Sequence, residues 1–205
     1  LRIVDGPTEQ PVARVAYRSA GNMYQEDVVC PFDMAGNFLL IRCPRIATPL
    51  DLNGRLDDPC WSQAVKVANF RLTDGTGYPS EPTEGYVMRD DVQLYVGLRC
   101  QEALISQLAA RSRGDGPAVR EDDSIELWFD PHHKHERWLQ FMANCVGAQH
   151  TAPTLGVAWR VVTGRHADAW TLECAIPFAS LEGSPKAGDL WGFHLCRTRP
   201  AKGLA

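Results

Sequence analysis

The chain has 205 residues, a formal net charge of −4, 44% hydrophobic residues and 22% charged ones. That is the composition of a globular protein long enough to bury a substantial core. With 21 Lys and Arg against 25 Asp and Glu, it argues against non-specific binding to nucleic acid, which needs clustered cations; the short apolar runs, broken by charge, argue against a membrane span.

The start, Leu1 to Gly6, has neither an initiator Met nor a basic stretch before an apolar run, so the chain reads as a fragment or processed product. Residues 1–44 carry Pro7, Pro11, Pro31 and Pro44, with strand-like runs at Val12–Tyr17 and Phe38–Arg42. They read as an N-terminal extension, or the tail of a preceding domain, that packs on the rest. Asp58-Pro59 then opens a short helix, with Asp as N-cap and Pro at the first helical position. Trp61, Ala64 and Val65 give that helix one apolar face.

From there the period is two. Val92 to Cys100 has apolar residues at every even position, and Asp90-Asp91 separates it from Tyr86-Val87-Met88 as a hairpin turn. Ala103–Arg111 has short helical spacing. Ser124–Asp130, Trp138–Val146, Val157–Thr163, Trp170–Ile176 and Trp191–Thr198 read as strands, and Pro177–Leu181 as a helical turn. The fold class expected is all-β: an antiparallel β-sandwich, jelly-roll-like, with one or two short helices. Cys100, Cys145, Cys174 and Cys196 fall in apolar strand runs and read as buried thiols. No C-x-x-C pair is present among the seven cysteines.

Several of these segments in order resemble the family 9 carbohydrate-binding modules. They are Asn53-Gly54-Arg55-Leu56-Asp57-Asp58-Pro59-Cys60-Trp61, Asp90-Asp91 with Leu94-Tyr95-Val96-Gly97, Asp122 to Asp130, Gln140-Phe141 with Asn144, Trp170 to Pro177, and Trp191-Gly192-Phe193-His194. The resemblance covers about residues 45 to 199, so that 45–205 reads as one such sandwich, truncated at its C-terminal end. It implies a non-catalytic module binding mono-, oligo- or polysaccharide, appended to a polysaccharide-active or other enzyme in an extracellular or periplasmic setting, with structural calcium. The family's Glu and Asn fall at Glu126 and Asn144. Its first Trp falls at Arg120 and its Arg at Met142, while its second Trp is expected beyond the last strand.

Strand parity makes an independent argument. If Ile125, Leu127 and Phe129 face the core, Glu126 and Trp128 face away from it; Trp138, Gln140, Met142 and Asn144 share the outward parity of the next strand. Glu126, Trp128, Trp138, Gln140 and Asn144 then line one surface, with an aromatic face for sugar C–H groups and polar groups for hydroxyls. His194 and Arg197 are further candidates on a later strand. Asp57, Asp122, Asp123 and Asp130 sit at element ends, where calcium finds carboxylates beside free carbonyls; Asp58 is claimed by its cap. His132, His133 and His135 form a polar loop with imidazoles suited to a transition metal. A glycosidase pair would have to be Glu126 with Glu173 or Asp130. Two rival readings are a structural or protein-interaction sandwich without sugar binding, its Trp128 and Glu126 covered, and a b-type haem domain using Met88, Met142 or His194.

Overall fold

The computed structural model describes residues 40–74, 77–134, 136–153 and 159–200, and also the backbone of four short strands nearer the N-terminus. These are β1 (Arg2–Ile3), β2 (Val12–Ser19), β3 (Asn22–Val29) and β4 (Phe32–Asp33), followed by β5 (Leu40–Cys43), β6 (Val65–Val67), β7 (Thr83–Arg89) and β8 (Gln93–Gln101). Then come β9 (Ser124–Asp130), β10 (Leu139–Asn144), β11 (Gln149–Ala152), β12 (Arg160–Arg165), β13 (Ala169–Pro177) and β14 (Gly192–Thr198). β2 and β3 pair as an antiparallel ribbon, and β1 and β4 flank β5. How residues 1–39 pack lies outside the described residues.

Two antiparallel sheets make the sandwich, one ordered β12-β13-β8-β7-β6 and the other β11-β10-β9-β14. The helical content of the described residues is four 3-10 turns: Pro59–Gln63, Ile105–Gln107, Pro117–Glu121 and Phe178–Leu181. Asp58 caps the first as expected, its Oδ1 accepting from the Cys60 amide at 2.8 Å. The helix expected over Ala103–Arg111 is reduced to one turn, Ile105–Gln107. The backbone amides of Ala109, Arg111 and Ser112 bond instead to the carboxylates of Asp123 and Asp122, so side-chain acceptors outcompete helical carbonyls.

Between the sheets the period-two pattern is obeyed on every central strand. Leu94, Val96, Leu98 and Cys100 of β8 and Trp170, Leu172, Cys174 and Ile176 of β13 meet Ile125, Leu127 and Phe129 of β9 and Leu139, Phe141 and Ala143 of β10. The five-stranded sheet also has a second core on its outer face. There Met88, Tyr95 and Ala175 pack beneath Ile46, Leu50, Leu52 and Trp61 of the 45–64 segment. Residue 97 must be Gly for this layer to close: a methyl group there would lie 2.5 Å from Leu56 Cδ2 and 2.8 Å from Trp61 Cη2.

That outer layer is pinned by Glu173, which is fully buried. Its Oε2 accepts from the amides of Asn53 and Gly54 at 2.7 and 2.6 Å, and its Oε1 from the Leu56 amide and Trp61 Nε1 at 2.9 and 3.0 Å. Four donors converge on one carboxylate, which offsets the cost of taking the charge out of water. A second buried carboxylate, Glu102, ties the last strand to the opposite sheet. It accepts from Arg199 Nε and Nη2 at 2.8 and 3.0 Å and stands 3.7 Å from Arg197 Nη2. The hairpin expected at Asp90-Asp91 is present, with Asp90 accepting from the amides of Val92 and Gln93 and from the Tyr95 hydroxyl at 2.7 to 2.8 Å.

Glu173→Ala leaves four donors without their acceptor, two of them buried and two part-buried, and should lower stability by about 3 kcal/mol in urea denaturation, with Glu173→Gln recovering part of the loss. A Glu173→Ala midpoint close to wild type would mean that the outer layer is held by its apolar contacts alone.

Candidate functional site

The 45–64 segment covers the five-stranded sheet; the sugar-site residues proposed from parity lie on the other one, on β9 and β10, with Trp138 just before β10. β9 lies between β10 and β14, and register sets the neighbours: Trp128 is opposite Gln140 on one side and His194 on the other, and Glu126 is opposite Met142 and Cys196. These side chains share the face turned away from the core. Trp128, Trp138, Glu126 and Gln140 are all partly exposed, and His194 is exposed. Gln140 Nε2 donates to Glu126 Oε2 at 2.6 Å, leaving Glu126 Oε1 and the Gln140 carbonyl for other partners. Among the described residues the Trp128 indole makes no hydrogen bond and no ring contact.

Cys196, expected in the core, stands on this outer face, because β14 buries its odd positions Phe193 and Leu195 against the core cluster. Its Sγ is 3.2 Å from His194 Nε2. Burial, then the negative Glu126 beside it, raise the thiol above its ordinary pKa, so it stays protonated at neutral pH. His194 was a candidate from the sequence, whereas Cys196 was read as core; the alternation of Phe193 and Leu195 in β14 is the signal that places both on the outer face. β11, which adds His150 opposite Met142, carries no apolar alternation in Gln149–Ala152 and escaped notice. Arg197 points inward, opposite Ile125, and donates to the carbonyls of Glu81 and Gln101; it is no part of the site.

Asn144 shares the outward parity but is fully buried, and all four of its amide positions are taken. Nδ2 donates to the Ser112 carbonyl and Asp122 Oδ2 at 2.8 and 2.9 Å; Oδ1 accepts from the amides of Val146 and Ala148 at 3.2 and 2.9 Å. The expectation that Asn144 meets a sugar is corrected: it fastens the loop before β9 to the turn after β10. The same loop, through Val119, packs on Met142 and Ala148, so the 3-10 turn Pro117–Glu121 roofs this end of the face.

The calcium expectation does not fit the four aspartates. Among the described residues no group of three or more His, Cys, Asp or Glu converges on a metal position. Asp122 accepts from the amides of Arg111 and Ser112 as well as from Asn144, and Asp123 from the Ala109 amide. Asp130 accepts from the His132 amide at 3.2 Å, and Asp57 pairs on the surface with Arg55 and Asn53. The His-loop reading rests partly on His135, which lies outside the described residues. A glycosidase pair does not form either. Glu173 is consumed under the opposite sheet, and Asp130 stands four residues from Glu126 along β9, about 13 Å of strand. For a haem, Met88 is buried in the outer core of the five-stranded sheet, away from His194, and Met142 is roofed by Val119.

With this geometry in place, comparison with known proteins defines the class. The family model described as "Carbohydrate family 9 binding domain-like" matches residues 52–203, and the chain belongs to that family. The same sandwich occurs in a family 9 carbohydrate binding module from Caldicellulosiruptor kristjanssonii in complex with glucose, at 18% identity and a TM-score of 0.60, covering 76% of this chain and 78% of that one. It recurs in a family 9 module from the same organism in complex with cellotriose, at 17% identity and a TM-score of 0.58, covering 74% and 72%. A comparison with curated proteins finds no match. Among the described residues no helix is long and apolar enough to cross a membrane.

Burial pushes the Asp122 carboxyl up, but its bonds from Asn144, Arg111 and Ser112 outweigh it and hold the group below the ordinary aspartate range. A depressed folded-state pKa stabilises above the unfolded value and is lost as pH falls through the folded one. Asp122→Asn should therefore be less stable than wild type at pH 7 by about 1 to 3 kcal/mol, with the gap closing below about pH 4. Denaturation of both proteins across that range checks it.

Proposed function

We propose that this domain binds neutral carbohydrate, without catalysing a reaction on it, on the outer face of the four-stranded sheet. The observation that carries the reading is the partly exposed Trp128 indole, without a protein partner among the described residues, beside the hydrogen-bonded Glu126–Gln140 pair. An aromatic plane takes the C–H face of a pyranose, and a carboxylate next to an amide offers acceptor and donor to neighbouring hydroxyls. None of the outward strand positions on β9, β10, β11 or β14 is Lys or Arg. With Glu126 among them, that favours uncharged sugars over acidic ones.

The glucose and cellotriose named for the similar structures support a saccharide partner. The partial exposure of Trp128 and Glu126 counts against the rival reading in which both are covered as part of a structural or protein-interaction module. In this proposal the domain tethers a larger polysaccharide-active enzyme to its substrate, in an extracellular or periplasmic setting. That part rests on the family alone, and a catalytic domain in the same gene product is its test.

Titration of the domain against a panel of neutral glycans should give binding that Trp128→Ala weakens by about tenfold or more, equal to 1.4 kcal/mol or more. Glu126→Gln, which keeps shape but loses charge, should weaken it less. Flat titrations across the whole panel would end the proposal.

A further inference from the structure

We infer that the outer face of β14 carries a site for a thiophilic divalent cation of the zinc class, with Cys196 Sγ and His194 Nε2 as its two protein donors. The two residues are i and i+2 on one strand, so both emerge on the same side, about 7 Å apart at the backbone. Their inward neighbours Phe193 and Leu195 pack on the core cluster and hold that side outward. Across the gap the side chains lean together until Sγ stands 3.2 Å from Nε2. Zinc holds sulfur at about 2.3 Å and imidazole nitrogen at about 2.0 to 2.1 Å, which sets two such donors roughly 3.5 Å apart in a tetrahedral shell. The pair therefore needs to open by only about 0.3 Å to admit the ion.

The surroundings favour a cation. Glu126 stands opposite Cys196 across the β9–β14 ladder, and the thiol feels its charge. The negative charge that keeps a proton on sulfur also attracts a divalent ion to the proton's place. Gln140 donates to Glu126 Oε2 and leaves Oε1 over. His194 is exposed and Cys196 half-buried, so water reaches the pair and completes the coordination shell. On binding, the S–H bond breaks, its proton passes to solvent and a sulfur–metal bond forms, with no change of oxidation state. Other thiols of this chain are placed differently. Cys43, Cys100 and Cys174 are buried in the core, where loss of water pushes their pKa values up to about 12, and Cys145 Sγ is 3.5 Å from the Ala109 carbonyl. Two donors make an open, exchangeable site, in keeping with the lack of any three-residue cluster among the described residues. It adjoins Trp128, the residue opposite His194, so its occupancy changes the charge of that face without touching the core.

The test is titration of the intact, reduced domain with cadmium as the spectroscopic stand-in for zinc, following the thiolate-to-metal charge-transfer band in the ultraviolet, with zinc then added as competitor. The expected result is a band that saturates at a single ion per chain, is displaced by zinc and is lost in Cys196→Ser. His194→Ala should weaken cadmium binding at least about tenfold, which separates a two-donor site from a bare thiol. Cys60→Ser, which removes another partly buried thiol, should leave the band as it is. Circular dichroism confirms that the three variants are folded. No band in the wild type, a band that zinc leaves in place, one that survives Cys196→Ser or vanishes with Cys60→Ser, or a His194→Ala affinity within about twofold of wild type overturns the inference. The close approach of Cys196 to His194 is then an ordinary S–H···N hydrogen bond. None of these outcomes bears on the carbohydrate reading, which glycan titration in the presence of a chelator tests separately.

Discussion

The carboxylate of Glu173, buried with four N–H donors around it, decides which surface of this molecule is free to act. By gathering the 53–56 turn and the Trp61 indole, it fixes the 45–64 segment over the five-stranded sheet. The centre of that sheet is then buried on both faces. On the other sheet the side chains of Glu126, Trp128 and Gln140 stay partly exposed and His194 is exposed, and every candidate for recognition stands on that face. Removing the anchor would expose Met88, Tyr95 and Ala175, a second apolar surface competing for partners.

Much of this was legible in the sequence. Period-two alternation placed Leu94 to Cys100, Ile125 to Phe129 and Leu139 to Ala143 in the core, because a strand buried against another sheet on one side must alternate. It placed Glu126, Trp128, Trp138 and Gln140 outside for the same reason. Asp58-Pro59 and Asp90-Asp91 announced their cap and turn, since both act through bonds to amides two or three residues away. β11 stayed hidden: its residues are all of intermediate burial, so no face of it is apolar enough to read.

Parity gives the side of a sheet, not what lies on top of it. Asn144 and Glu126 have the same parity, yet one is spent on backbone groups of a loop some 30 residues earlier and the other remains partly open. Asp122, Asp123 and Asp130 behave alike: the backbone amides of 109, 111, 112 and 132 claim them, which in a loop-rich sandwich is a commoner fate of a carboxylate than metal binding. The misplacing of Cys196 has a different cause. Its strand lies at a sheet edge, where outward positions tolerate small apolar residues that would signal a core elsewhere.

The two arginines that grip Glu102 have an effect at a distance. Among the described residues β14 pairs only with β9, so within the sheet a slip by one residue is opposed by that ladder alone. Such a slip in β14 would turn Phe193 and Leu195 to the solvent and hide His194. It would also drag the Arg197 and Arg199 guanidiniums off a carboxylate with no exposure to water, leaving a buried charge uncompensated at a cost of about 3 to 5 kcal/mol. The clamp works as an indexing pin: set at the far end of the strand, it keeps the outer face showing the same side chains.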